Sequence, residues 1–144
     1  MRGIVMKLYI KNQTDIMGMA RIGWIPVGNT KGIELYVHTN DSGSIPHFHV
    51  RKYSTHKHKY GKRSKFDWET CIRYDSPQYF LHGKYHDTLP DPEIAKQLDS
   101  MLRTVNPKRR GITYWQSAID DWNNNTERIQ LDPDMEQPDY TLLK

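Results

Sequence analysis

The chain has 144 residues, of which 36% are hydrophobic and 11% aromatic, and a formal charge of +4. That length suits a single domain over residues 1–144, able to bury roughly 70% of its extended-chain surface without metal or disulfide support. No apolar run approaches the roughly 18 residues of a membrane span. The opening Met1–Asn12 is too interrupted by Arg2, Lys7 and Lys11 for a secretion signal. A single Cys71 rules out an internal disulfide and suits a reducing compartment, so a cytoplasmic protein is expected.

Residues 1–90 read mostly as strands. Weak candidates at Lys7–Ile10 and Met19–Val27 precede Ile33–His38, where Ile33, Leu35 and Val37 share one face. After the turn residues Asn40–Gly43 comes a further candidate at Pro46–Lys52. Phe66–Tyr74 alternates most regularly, with Phe66, Trp68, Thr70, Ile72 and Tyr74 on one side and Asp67, Glu69, Cys71 and Arg73 on the other. Such alternation marks half-buried strands of an antiparallel sheet. Tyr79–Lys84 is a last, weaker strand candidate, broken by His82-Gly83.

Residues 91–125 switch to helical spacing. Asp91-Pro92-Glu93 is a helix start, with a capping carboxylate, proline in the first turn and an acid facing the dipole. Ile94, Leu98, Met101, Leu102 and Val105 follow on one stripe until Asn106-Pro107. Thr113 with Gln116 has capping-box form, and Trp115, Ala118, Ile119 and Trp122 share the next helical face. Residues 126–144 lack periodicity, carry Pro133 and Pro138, and read as an irregular tail. Strands followed by helices predict an α+β fold: an antiparallel sheet of about four to six strands with two C-terminal helices on one face.

The positive charge is local. Residues 51–65 hold seven basic side chains and no acid, whereas residues 111–144 hold two basic against seven acidic. Arg51, Lys52, Lys57, Lys59, Lys62, Arg63 and Lys65 interleave with Tyr53 and Tyr60, a mixture suited to phosphates and to stacking on bases. Charge runs of this kind also occur as solvated hairpin tips. Lys108, Arg109 and Arg110 form a second, smaller cluster that Arg103 could extend.

Pro46-His47-Phe48-His49-Val50-Arg51 is the most distinctive motif. On a strand it directs Phe48 and Val50 to the core and leaves His47, His49 and Arg51 on the open face. Two imidazoles and a guanidinium there, with Lys57, Lys59 or Lys62, supply the base and cations of a phosphodiesterase. Two His at that spacing are also half of a metal site. His82 and His86 form a second pair, which the intervening glycine removes from helical metalloprotease geometry. If His82 lies beside His47 and His49, a divalent metal site of three or four His arises, with Asp75 or Asp87 as an oxygen ligand; otherwise no cofactor is expected. Cys71 sits on the polar side of its strand without a nucleophile signature.

The Pro46–Val50 motif resembles a small bacterial family of unknown function defined by a Pro-His-Phe-His strand, whose members often sit in toxin–antitoxin pairs or on mobile elements. The resemblance takes in the turn Asp41–Ser44, Leu89-Pro90 before a helix, and the later Trp-bearing helix, over about residues 30–125. Ile45 stands where the family often has another proline, and residues 51–65 and the tail make this chain longer than typical members. The resemblance implies fold and context, and that His47 and His49 matter; it implies no mechanism.

These features lead to a small cytosolic binding module that contacts nucleic acid or an acidic protein through residues 51–65, in a toxin–antitoxin, phage or anti-defence setting. The alternatives are a His-dependent RNase or nucleotide phosphodiesterase built on His47, His49 and Arg51, and a protein inhibitor that binds no nucleic acid.

Overall fold

A computed structural model describes residues 19–25, 32–38, 45–52, 58–59, 62–63, 67–126 and 129–144. The strands are β1 (Met19–Ile25), β2 (Ile33–His38), β3 (His47–Lys52), β4 (His58–Lys59), β5 (Lys62–Arg63) and β6 (Trp68–Arg73). The main sheet has the order β1-β2-β3-β6, antiparallel throughout, and β4 pairs with β5 in a separate two-stranded ribbon. The ribbon therefore springs from the sheet between β3 and β6. The candidate strand Lys7–Ile10 lies outside the described residues.

Register decides which side chains meet. Leu35 opposes Val50, which opposes Thr70, and Phe48 opposes Ile72. This is the apolar face, and Ile33, Leu35, Val37, Phe48, Val50 and Ile72 are all fully buried on it. Helix α1 (Pro92–Leu102) and helix α2 (Tyr114–Asn125) supply Ile94, Leu98, Leu102, Trp115, Ala118 and Trp122 to the same core. The chain is thus α+β, with an antiparallel sheet and two helices C-terminal to it.

Both helices begin where local chemistry places them. The Asp91 carboxylate accepts from Glu93 N at 2.9 Å, and the Thr113 hydroxyl accepts from Gln116 N at 3.1 Å, each satisfying an amide that the helix leaves without a partner. Helix α1 ends at Leu102, so Val105, expected on the helical stripe, instead bridges Thr113 and is 55% exposed.

One segment differs from expectation. Tyr79–Lys84 is not a ladder strand: it makes only isolated bridges, Ile72 with Tyr79 and His82 with Tyr85. The tail is irregular apart from one short turn, and it packs on the core. Tyr140, at the start of a 3-10 turn over Tyr140–Leu142, is fully buried, and its hydroxyl donates to the Arg73 carbonyl. Asp99 on α1 accepts from the Tyr140 amide at 3.0 Å and from Gln137 Nε2 at 2.9 Å. The acids of this segment conceal a single large aromatic that fills a core position.

Candidate functional site

The second face of the sheet carries Glu34, Tyr36 and His38 from β2, His47, His49 and Arg51 from β3, and Glu69, Cys71 and Arg73 from β6. Tyr36 lies opposite His49, which lies opposite Cys71; Arg51 lies between Glu34 and Glu69. Directly opposed side chains on one face stand about 5 Å apart, so the ladder alone builds a polar cluster.

This face is not open. His47 and His49 are both 0% exposed, which corrects the expectation of two accessible imidazoles. Residues 79–87 fold across them as a strap. Phe80 covers His47 with ring centroids 4.8 Å apart, and Tyr85 stands edge-on over His49 at 4.8 Å. The strap doubles back at His82-Gly83-Lys84-Tyr85, where Tyr85 N donates to the His82 carbonyl at 2.9 Å. Gly83 turns the chain with φ of 55°, a left-handed value that glycine adopts without cost. That turn sets His82 and Tyr85 side by side above the sheet, with the His82 ring 4.9 Å from His47.

Glu69 organises one half of the cluster. Its Oε1 accepts from Arg51 Nε at 2.8 Å, and its Oε2 receives His49 Nδ1 at 3.0 Å together with the Tyr36 hydroxyl. Arg51 also stacks over the Tyr36 ring at 4.4 Å. Burial opposes the Glu69 charge, but the hydrogen bonds from His49, Tyr36 and Arg51 outweigh it and hold the carboxyl below its ordinary value. Burial and, behind it, the Glu69 charge push the Tyr36 phenol up, which keeps it a donor.

Cys71 organises the other half. Its Sγ lies 3.4 Å from His49 Nδ1, 3.7 Å from His49 Nε2 and 3.4 Å from His82 Nε2. His47, His49, Cys71 and His82 each offer a ligand atom, and these atoms lie within 4.8 Å of one another. His38, His49 and Glu69 form a second such group. His82 thus joins His47 and His49. His86 is exposed and belongs to neither group; Asp87 accepts from Glu69 N at 3.2 Å, and Asp75 pairs with Arg73 at 2.7 Å. Sequence reasoning passes over Cys71 and His38 as ligands. Strand parity is the available signal, since both fall on the same side as His49 once β2, β3 and β6 are neighbours.

The cations divide. Arg51 is bound to Glu69, and Lys52 Nζ lies 3.7 Å from Asp67. Arg109 makes a two-pronged contact with Asp121 on α2, at 2.7 and 3.0 Å. Burial pushes the Asp121 carboxyl up to about 6 against the pull of Arg109. Arg103 pairs with Asp99 within one turn of α1. Lys59, Lys62 and Arg63 fall on the ribbon, while Tyr53, Lys57, Tyr60 and Lys65 lie outside the described residues.

Compared with protein-family models, with curated proteins and with solved structures, the chain matches none. Among the described residues, no helix is long and apolar enough to cross a membrane.

Proposed function

We propose that the protein is a small nucleic-acid-binding module whose contact element is the basic ribbon between β3 and β6. One observation carries this reading: seven cations and no acid are concentrated in residues 51–65, the stretch that holds the separate β4–β5 ribbon. Arg51 and Lys52, held by Glu69 and Asp67, anchor its base. Lys57, Lys59, Lys62, Arg63 and Lys65 are then the phosphate contacts, with Tyr53 and Tyr60 as stacking surfaces. The burial of His47 and His49 favours binding over cleavage, because an imidazole at 0% exposure does not reach a scissile phosphate. A toxin–antitoxin or mobile-element setting accords with the Pro-His-Phe-His resemblance.

The test is a gel-shift series with labelled single- and double-stranded RNA and DNA over a range of salt. Five phosphate contacts give a slope of log affinity on log salt of roughly −3.5 for single strands and −4.5 for duplex. The quadruple variant Lys57→Glu, Lys59→Glu, Lys62→Glu, Arg63→Glu should abolish the shift with little change in melting temperature. Unchanged affinity in that variant refutes the reading. Shortened products would favour the nuclease instead, and a shift-free protein that copurifies with an acidic partner would favour the protein inhibitor.

A further inference from the structure

We propose that His47, His49, Cys71 and His82 form a closed, four-coordinate site for a divalent transition cation of the zinc class. The inference concerns the strap-covered face, and it stands whether or not the ribbon binds nucleic acid.

The donor set comes first. Imidazole nitrogen and thiolate sulfur are the donors that zinc takes, four of them in a closed site, and that oxygen-seeking magnesium or calcium does not. The spacing agrees. Zn–S near 2.3 Å and Zn–N near 2.0–2.1 Å in a tetrahedron place neighbouring donors about 3.4–3.6 Å apart. Cys71 Sγ already stands 3.4 Å from His82 Nε2 and 3.7 Å from His49 Nε2. The widest separation in the set, within 4.8 Å, closes with a side-chain movement of about 1 Å.

The second observation is how the rings are held. His47 Nδ1 lies 2.7 Å from the Ile45 carbonyl, which can only accept, so Nδ1 carries the proton and Nε2 the lone pair. His49 Nδ1 lies 3.0 Å from a carboxylate oxygen of Glu69, itself fixed by Arg51. A carbonyl on one ring and a carboxylate on another are the outer partners that orient metal-bound histidines. Both rings thereby offer Nε2.

Third, the geometry selects this group over the alternative one. His38, His49 and Glu69 would supply only three donors, and Glu69 is already engaged by Arg51, Tyr36 and His49. Because His49 belongs to both groups, its contact with Glu69 serves the Cys71 site as a support. His47, His49 and Cys71 are fully buried and His82 half-buried, which leaves no open coordination position for substrate. The site is structural: it ties β3, β6 and the strap together across residues 47–82. Binding forms one Zn–S and three Zn–N bonds and releases the Cys71 thiol proton to solvent.

The experiment uses the full chain, purified from zinc-supplemented culture and tested without nucleic acid. Elemental analysis should give one zinc per chain, and stripping with a strong chelator should lower the melting temperature until zinc is restored. Replacement by Co²⁺ should give the visible bands of a tetrahedral ion and a near-ultraviolet thiolate-to-cobalt band. His82→Ala, on the half-buried strap, should lose stoichiometric metal, Glu69→Gln should weaken it about 10–100-fold, and His86→Ala should keep it. Cys71→Ser should remove the thiolate band; if it does not fold, the wild-type cobalt spectrum and His82→Ala carry the test. Metal well below one per chain with a melting temperature indifferent to added zinc overturns the proposal. So does a cobalt spectrum without the thiolate band, or full retention of zinc by His82→Ala.

Discussion

The hydroxyl of Tyr140 donates to the carbonyl of Arg73 at 2.5 Å, joining residues 67 positions apart. The bond runs from the C-terminal segment to the last residue of β6, and Phe48 lies beside the Tyr140 ring at 5.9 Å. The tail therefore belongs to the core on the helix side of the sheet, and its removal would uncover Phe48. Tyr140→Phe keeps the ring and deletes the bond. A loss of about 1–2 kcal/mol is expected from denaturant unfolding, with the m-value unchanged. A neutral substitution would show that the hydroxyl contributes nothing to the docking.

Asp99 gives the same docking a pH dependence. Burial works against its charge, but hydrogen bonds from Arg103, the Tyr140 amide and Gln137 hold its carboxyl below the ordinary 3.8. A depressed folded-state value contributes stability that is complete above the unfolded value and is lost as pH falls through the folded one. The melting temperature should therefore drop below about pH 4, and Asp99→Asn should flatten that drop while costing about 1–2 kcal/mol at neutral pH. An acid limb of unaltered steepness in Asp99→Asn would assign the effect elsewhere.

How much of this is legible in sequence depends on how local the cause is. Caps are local: Asp91 and Thr113 name their own helix starts, and both are readable. Alternation is nearly as local, so the parity of Phe48 and Val50 against His47 and His49 follows from the motif itself. Exposure is not local. An open face for His47 and His49 follows from counting only the strands, whereas what covers them is a bridge-and-turn segment with no period, marked in the sequence only by His82-Gly83. The pairing of His49 with Cys71 likewise needs β3 next to β6, a relationship interrupted by the whole basic ribbon. The placement of Tyr140 has no periodic signal at all.

Gly83 tests that strap. At φ of 55°, with nothing within 4 Å of where a Cβ would stand, the obstacle to substitution is backbone conformation alone and not space. Gly83→Ala should destabilise by about 1–2 kcal/mol, while Gly83→Asn, which tolerates the left-handed region, should cost less. Equal costs for Ala and Asn would point to something other than the turn.

Arg109 separates from its neighbours in sequence. The charge pattern groups it with Lys108 and Arg110 as a phosphate-binding cation, yet its two-pronged contact with the buried Asp121 makes it part of the fold. Arg109→Ala should destabilise by about 3 kcal/mol, whereas Lys108→Ala and Arg110→Ala should stay within about 0.5 kcal/mol. Because the Asp121 carboxyl is raised to about 6, its ionisation costs stability as pH rises from about 4 through 6. Removing Arg109 raises that carboxyl further, so the penalty measured at pH 7.5 should exceed that at pH 5. A penalty independent of pH would detach the effect from Asp121.

The strap has one more consequence, and it concerns neighbouring molecules. Phe80 N donates to the Cys71 carbonyl at 2.9 Å and Arg73 N to the Gln78 carbonyl at 3.0 Å, while Tyr79 and Lys144 pair next to them. The outer rim of β6 is thus already engaged by the chain's own backbone at its C-terminal end, and a strand from a second molecule finds those positions taken. An uncovered rim is where sheets fuse into aggregates. The segment that closes over the histidines, with Gln78 just before it, also occupies this end of the β6 rim.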